Sequence, residues 1–207
     1  MKDKFLGERR KLVKSLESMG IGDRRVLDAI LKVKRHLFVL DESVAYEDRA
    51  LSILCHQTIS QPYTVAFMIQ SLELENDDNV LEIGTGSGWG LAILSEIMKP
   101  KTVYSLEIHK ELIEFAEENL KKAKIKNYEI FHRNGYFGLR EKALFDKIIV
   151  TAAPKEIPFE LIKQLKDHGI IIVPVGEYSQ NMLKITKIGD NIIKQDLGNF
   201  LFVPMTK

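Results

Sequence analysis

The stretch Val80-Leu81-Glu82-Ile83-Gly84-Thr85-Gly86-Ser87-Gly88 constrains this chain more than any other. A short apolar run breaks into three glycines at alternate positions, and an apolar helical segment, Trp89 to Met98, follows. The pattern reads as a buried strand that turns into a helix, with a ligand lying against the turn. Glycine suits that place because it takes positive φ and, lacking Cβ, lets a backbone or a ligand come close. The free N–H groups of the helix would point at whatever sits there. A dinucleotide fingerprint wants glycine at the first, third and sixth positions of such a turn. Counting from Gly84, the sixth position is Trp89, so that pattern is not met.

The rest of the chain reads as an α/β domain. Apolar positions at helical spacing predict helices from Phe5 to Met19, with Gly20 and Gly22 as the stop, and from Arg24 to Val33, with Asp23 as the cap. Tyr63 to Leu72 continues the pattern, with Pro62 in the first turn and Ser60 as N-cap. Nearly all-apolar strands, Thr102–Glu107, Tyr128–Phe131, Phe145–Val150 and Ile170–Val173, alternate with helices over Lys110–Lys124 and Phe159–Lys166, the latter stopped at Gly169. Such strands imply a parallel sheet covered on both faces. Met182–Lys187, Ile192–Asp196 and Phe200–Val203 predict a closing antiparallel hairpin or meander. We expect one domain in three parts: a helical cap with a ligand loop (1–75), a binding core (76–176) and terminal strands (177–207). A ligand would lie at the carboxyl ends of the first, second and fourth strands.

Bulk properties narrow the function classes. Thirty basic residues against 29 acidic ones give a net charge of +1, and no basic run forms a stripe, so neither nucleic acid nor a membrane surface is an expected partner. The single cysteine, Cys55, rules out an internal disulfide and suits a reducing compartment. The N-terminal stretch is charged and no apolar run approaches about 18 residues, so a cytoplasmic location is expected. No spacing suggests a metal site, and Cys55-His56 is a pair of neighbours rather than a ligand set.

Two carboxylates flank the glycines. Glu82 precedes the first by two residues, and Glu107 ends the second strand 23 residues after it. A carboxylate at that tip accepts both hydroxyls of a ribose, which fits an adenosine-bearing cofactor. A structural turn with Glu107 as a solvated charge stays open on these residues alone. The E-x-G-x-G-x-G form resembles the first motif of Rossmann-like methyltransferases that bind S-adenosylmethionine. A more specific run, Gln57-Thr58-Ile59-Ser60-Gln61-Pro62-Tyr63, resembles the protein-L-isoaspartate O-methyltransferase family. Arg35-His36-Leu37-Phe38-Val39, Ala45-Tyr46-Glu47-Asp48-Arg49 and Ile149 to Pro154 agree with that family in the same order, from about Met19 to Pro204.

The resemblance implies a Rossmann-like class I methyltransferase fold and methyl transfer from S-adenosylmethionine to the free α-carboxylate of L-isoaspartyl residues in proteins and peptides, which starts their repair. It implies cofactor contacts from Gln57, Thr58, Ile59, Ser60, Glu82, Gly84, Thr85, Gly86, Ser87, Gly88, Glu107, Asn134 and Gly135. Ser60 would orient the carboxylate, and Thr151, Ala152 and Ala153 would meet the substrate, pairing with its main chain. Capping remains the plain alternative for Ser60. The chain departs from the family twice. Asn134 stands where relatives carry aspartate on the adenine amino group, and Leu54-Cys55-His56 replaces Gly-Tyr-Gly, implying another backbone path or a tighter substrate mouth. His56 reads as a pocket-edge side chain, and His36 as a packed or surface histidine. A methyltransferase of this fold with another substrate and a non-catalytic binding protein are the competing readings; a monomer is the favoured state.

Overall fold

The computed structural model describes residues 3–206; Met1, Lys2 and Lys207, the two ends of the expected domain, lie outside the described residues. The elements are α1 (Leu6–Ser18), α2 (Arg24–Lys32), β1 (Leu51–Ser52), β2 (Thr58–Ile59), α3 (Pro62–Ser71), β3 (Val80–Ile83), α4 (Trp89–Ile97) and β4 (Val103–Glu107). They continue with α5 (Lys110–Ala123), β5 (Tyr128–His132), β6 (Phe145–Val150), α6 (Phe159–Lys163), β7 (Leu165–Val175), β8 (Gln180–Ile188) and β9 (Asn191–Phe200). Seven strands form one sheet in the order β5-β4-β3-β6-β7-β8-β9. The first five are parallel; β8 and β9 join antiparallel.

Alternation along the strands builds two cores. Val80, Val103, Ile149 and Ile172 pack with the helices α1 to α5, whereas Leu81, Ile83, Ile148 and Ile171 face a second cluster that includes Leu161 of α6. All four residues of β3 are buried, as a strand covered on both faces requires. Because β4 and β6 lie on opposite sides of β3, the chain reverses its direction of build there. That reversal opens a crevice at the carboxyl ends of these three strands.

Local chemistry accounts for some helix ends and tertiary contacts for others. Asp23 accepts from the Arg25 amide at 2.9 Å and caps α2 as expected. At α3 the N-cap is Gln61, with no side-chain cap of its own, and Ser60 does not cap the helix. The orphan N–H of Tyr63 goes instead to Asp48 Oδ1 at 2.8 Å, fifteen residues upstream. The expected helix to Lys166 ends at Lys163, and Gly169 lies inside β7 rather than stopping a helix. Pairing of Leu165 with Phe145 overrides the local helical pattern, and the register shift beside it absorbs the irregular turn. The predicted strand Phe200–Val203 is not separate: β9 runs through to Phe200, with Gly198 at φ +101 beside a register shift.

Candidate active site

The glycine turn has the shape its sequence requires, with Gly84, Gly86 and Gly88 at φ +95, +55 and +85. They serve different purposes. A Cβ on Gly84 would lie 2.4 Å from Thr151 Oγ1, whereas Gly86 faces nothing nearer than Ile53 Cδ1 at 3.8 Å. Gly88 is the N-cap of α4 and packs against Ala116 and Leu120 of α5. Thr151, at the end of β6, donates to Gly84 O at 2.8 Å and so ties the turn to the neighbouring strand.

Against this turn lies a cleft of about 870 Å³, counted to its open mouth. Of the residues expected to hold the cofactor, twelve line it: Gln57 to Ser60, Glu82, Gly84 to Ser87, Glu107, Asn134 and Gly135. Gly88 does not, being turned into the helix packing. Thr151 and Ala152 line the cleft as well. Ala153 is not brought to it: its N–H donates to Val203 O and its carbonyl accepts from Met205 N, both at 2.8 Å. The expectation that Ala153 pairs with substrate main chain is therefore corrected, since the C-terminal segment already uses both groups. That segment, Val203 to Thr206, walls the cleft, as do Trp89, Ile108 and Leu112. Nothing in local spacing signals a tail that returns from the far edge of the sheet.

Glu107 is 6% exposed and accepts from Gly86 N at 2.9 Å, Ile108 N at 2.8 Å and His109 N at 3.0 Å. A carboxylate offers about four acceptor positions. One is left, so as it stands the carboxylate has room for one further donor, and a second needs the Gly86 N–H to yield. Asn134 is also engaged, its Oδ1 accepting from Tyr136 N at 2.9 Å. An aspartate would form the same turn, so an amide at this position preserves the local structure. Gly135 is required by packing, because a Cβ there would stand 2.2 Å from Ile83 Cγ2.

Glu82 lies beneath the turn. Its carboxyl group is held by Ser105 Oγ at 2.6 Å, which in turn meets Thr85 Oγ1 at 2.7 Å. Burial pushes its pKa up to about 8, against the Ser105 hydrogen bond and with a smaller push from the charge on Glu107. The folded protein therefore keeps a proton that the unfolded chain releases above about pH 4.5, and stability falls as pH rises from there to about 8. Glu82→Gln should flatten this contribution, on the order of 3 kcal/mol between about pH 5 and pH 7.5. Chemical denaturation of both proteins across that range checks it.

The hairpin of β1 and β2 delivers Gln57 to Ser60 to the cleft. At its tip Cys55 and His56 both sit at φ +55, in the left-handed region. Glycine takes this conformation freely, so His56 holds the turn under strain. His56 is exposed and does not line the cleft, so neither a pocket-edge nor a catalytic place is found for it. His56→Gly should raise stability by about 1 kcal/mol, read as a higher melting temperature. His36 is packed, its Nδ1 2.8 Å from Tyr46 Oη and its ring 4.5 Å from that of Phe5.

A parallel sheet reversing at β3, a glycine turn feeding α4 and a carboxylate at the tip of β4 define a Rossmann-like class I methyltransferase. A family model described as Protein-L-isoaspartate(D-aspartate) O-methyltransferase matches residues 7–207, and the chain belongs to that family. A protein-L-isoaspartate O-methyltransferase of Dictyoglomus thermophilum is 46% identical over 201 residues, covering 96% of this chain and 90% of its own. One from Flavobacterium johnsoniae is 46% identical over 210 residues, covering 99% and 98%. A Plasmodium falciparum crystal structure assigned to the same enzyme, in complex with S-adenosyl-L-homocysteine, superposes with a TM-score of 0.86. It is 31% identical and covers 96% of this chain and 98% of its own.

Proposed function

We propose that this protein transfers a methyl group from S-adenosylmethionine to the free α-carboxylate of L-isoaspartyl residues in damaged proteins and peptides. One observation carries the reading: the cleft at the glycine turn meets a second, open groove of about 1410 Å³, and Thr58, Ser60, Thr151 and Val203 line both. Such a joint is what a reaction between a sequestered cofactor and a polymer needs. The cleft suits the cofactor chemically. Glu107 offers a carboxylate to a ribose, Ile108 and Leu112 offer apolar surface, and Gly86 lines the cleft with bare backbone. When bound, S-adenosylmethionine supplies a methyl group on a sulfonium whose sulfur departs as a neutral thioether, which asks for no general acid.

The chain's own task is alignment, which is worth about 7 to 11 kcal/mol where the approach is good. The accepting carboxylate, with a reference pKa of about 4, is already ionised at neutral pH and needs orientation rather than a base. Ser60 suits that need: its hydroxyl makes no hydrogen bond within the described residues and stands where the two cavities join. The α3 terminus is already held by Asp48, so Ser60→Ala should leave the melting temperature nearly unchanged. Turnover should fall at least about tenfold, roughly 1.4 kcal/mol. A lowered melting temperature with normal turnover would return Ser60 to a structural role. Ala152, whose backbone groups are unpaired within the described residues, replaces Ala153 as the main-chain contact for substrate, beside Thr151.

Isoaspartyl proteins and peptides are the partners in this reading, and the net charge of +1 supports no nucleic-acid role. No helix of the described residues is long and apolar enough to cross a membrane. A cytoplasmic, monomeric enzyme folding as one unit of cap, core and terminal strands completes the proposal. The lone thiol of Cys55 and the packing of α1 to α5 into one core with the sheet support it. Labelled methyl transfer to an isoaspartyl peptide, with bulk nucleic acid as control, tests it. Incorporation into the peptide alone is expected; incorporation into nucleic acid alone would overturn the assignment.

A further inference from the structure

Arg35 is fully buried, yet each of its bonded acceptors is a backbone carbonyl. Nη1 donates to Ala45 O at 2.6 Å, and Nη2 donates to Arg49 O at 3.2 Å and to Ser60 O at 3.1 Å, while Nε has no partner. Its guanidinium lies 5.0 Å from the ring of Trp89, the first residue of α4 and part of the cleft wall. Burial lowers its pKa to about 10, with Asp48 opposing from beyond direct contact, so it remains a cation at neutral pH. A buried charge without an ion-pair partner is costly to keep and is a poor way merely to stabilise a fold. What this one does is join its own segment to two others, the Ala45–Arg49 stretch and the turn that carries Ser60.

Asp48 acts on the other flank of the same turn. Its Oδ1 accepts from Tyr63 N at 2.8 Å and its Oδ2 from the Gln61 side chain at 3.1 Å. Ser60, Gln61 and Pro62 are thus held from below by a cation at the Ser60 carbonyl and from the groove side by a carboxylate at the start of α3. We propose that Arg35 and Asp48 are positioning residues for methyl transfer, clamping the Ser60–Pro62 turn so that the Ser60 hydroxyl is presented where cofactor cleft and substrate groove meet. The inference rests on the functional reading above and adds residues that touch neither cofactor nor reacting atoms. It also gives a use to the Arg35–Val39 and Ala45–Arg49 motifs. An ammonium at position 35 cannot reproduce the planar fork that reaches Ala45, Arg49 and Ser60 together.

The test compares wild type, Arg35→Lys and Asp48→Ala in turnover on an isoaspartyl peptide, in S-adenosylhomocysteine affinity by calorimetry, and in melting temperature, with assays well below the melting point. Both variants are expected to lose turnover at least tenfold while affinity for S-adenosylhomocysteine stays within threefold. Loss of turnover and affinity in equal proportion would show general loosening and overturn the proposal. So would turnover within twofold of wild type in a folded variant. If Arg35→Lys does not fold, Asp48→Ala, altered at a half-exposed site, decides alone. Wild type that binds S-adenosylhomocysteine but methylates no isoaspartyl peptide defeats the functional reading itself, a result separable from failure of the clamp.

Discussion

Gly84→Ala is expected to lower stability by about 3 kcal/mol and to weaken S-adenosylhomocysteine binding at least about 100-fold. Two independent penalties meet at this residue. Its φ of +95 lies where an L side chain is strained. Its Cβ would also sit 2.4 Å from the Thr151 hydroxyl, which cannot withdraw without losing the hydrogen bond to Gly84 O. The turn must therefore move, and with it the backbone that faces the cleft. Gly84→Ala in a Thr151→Gly background relieves the clash and leaves the backbone strain, so only part of the loss should return. Denaturant unfolding and calorimetry measure both; a Gly84→Ala protein within about 0.5 kcal/mol of wild type, the usual range for a surface substitution, would show that the turn is not rigid.

Glu107→Ala is the second large effect. Loss of hydrogen bonds to a charged group should weaken S-adenosylhomocysteine binding by about 1.5 to 3 kcal/mol. The amides of Gly86, Ile108 and His109 lose their common acceptor at the same time, so the glycine turn and the start of α5 both loosen. Glu107→Gln should not rescue binding, because its amide nitrogen must face one of these N–H donors. Unchanged affinity in the alanine variant, measured by calorimetry, would remove Glu107 from the cofactor site.

Much of the central site was legible because it is local. The glycines from 84 to 88, the carboxylates at 82 and 107 and the strand–helix alternation between them are properties of short windows, and backbone sterics fix their shape. The resemblance carried by Gln57 to Tyr63 identified the second loop. What could not be read is what tertiary contacts decide. Asp48 caps a helix fifteen residues away, leaving Ser60 free where local spacing made it the cap. Gly169 looked like a helix stop, but pairing with β6 draws Leu165 into a strand. The tail at Val203 to Met205 takes both backbone groups of Ala153, which no pattern near either segment announces. Glu82 lines the cleft as its spacing suggests, but its second tie, through Ser105 to Thr85 beneath the turn, joins two strands and could not be read from either.

The measurement that bears most directly on the account is the ratio of methylation rates on two peptides of one composition, differing only in whether the residue is L-isoaspartyl or L-aspartyl. Charge is the same in both, so any preference must come from the geometry with which the groove presents the carboxylate to the cleft. With Ser60 and Thr151 where groove and cleft meet and Ala152 beside them in the cleft, a preference of at least roughly 100-fold is expected, about 2.7 kcal/mol. Turnover should also stay nearly flat from about pH 6 to pH 8, because the accepting carboxylate is already ionised. Equal rates on the two peptides would contradict the isoaspartyl assignment.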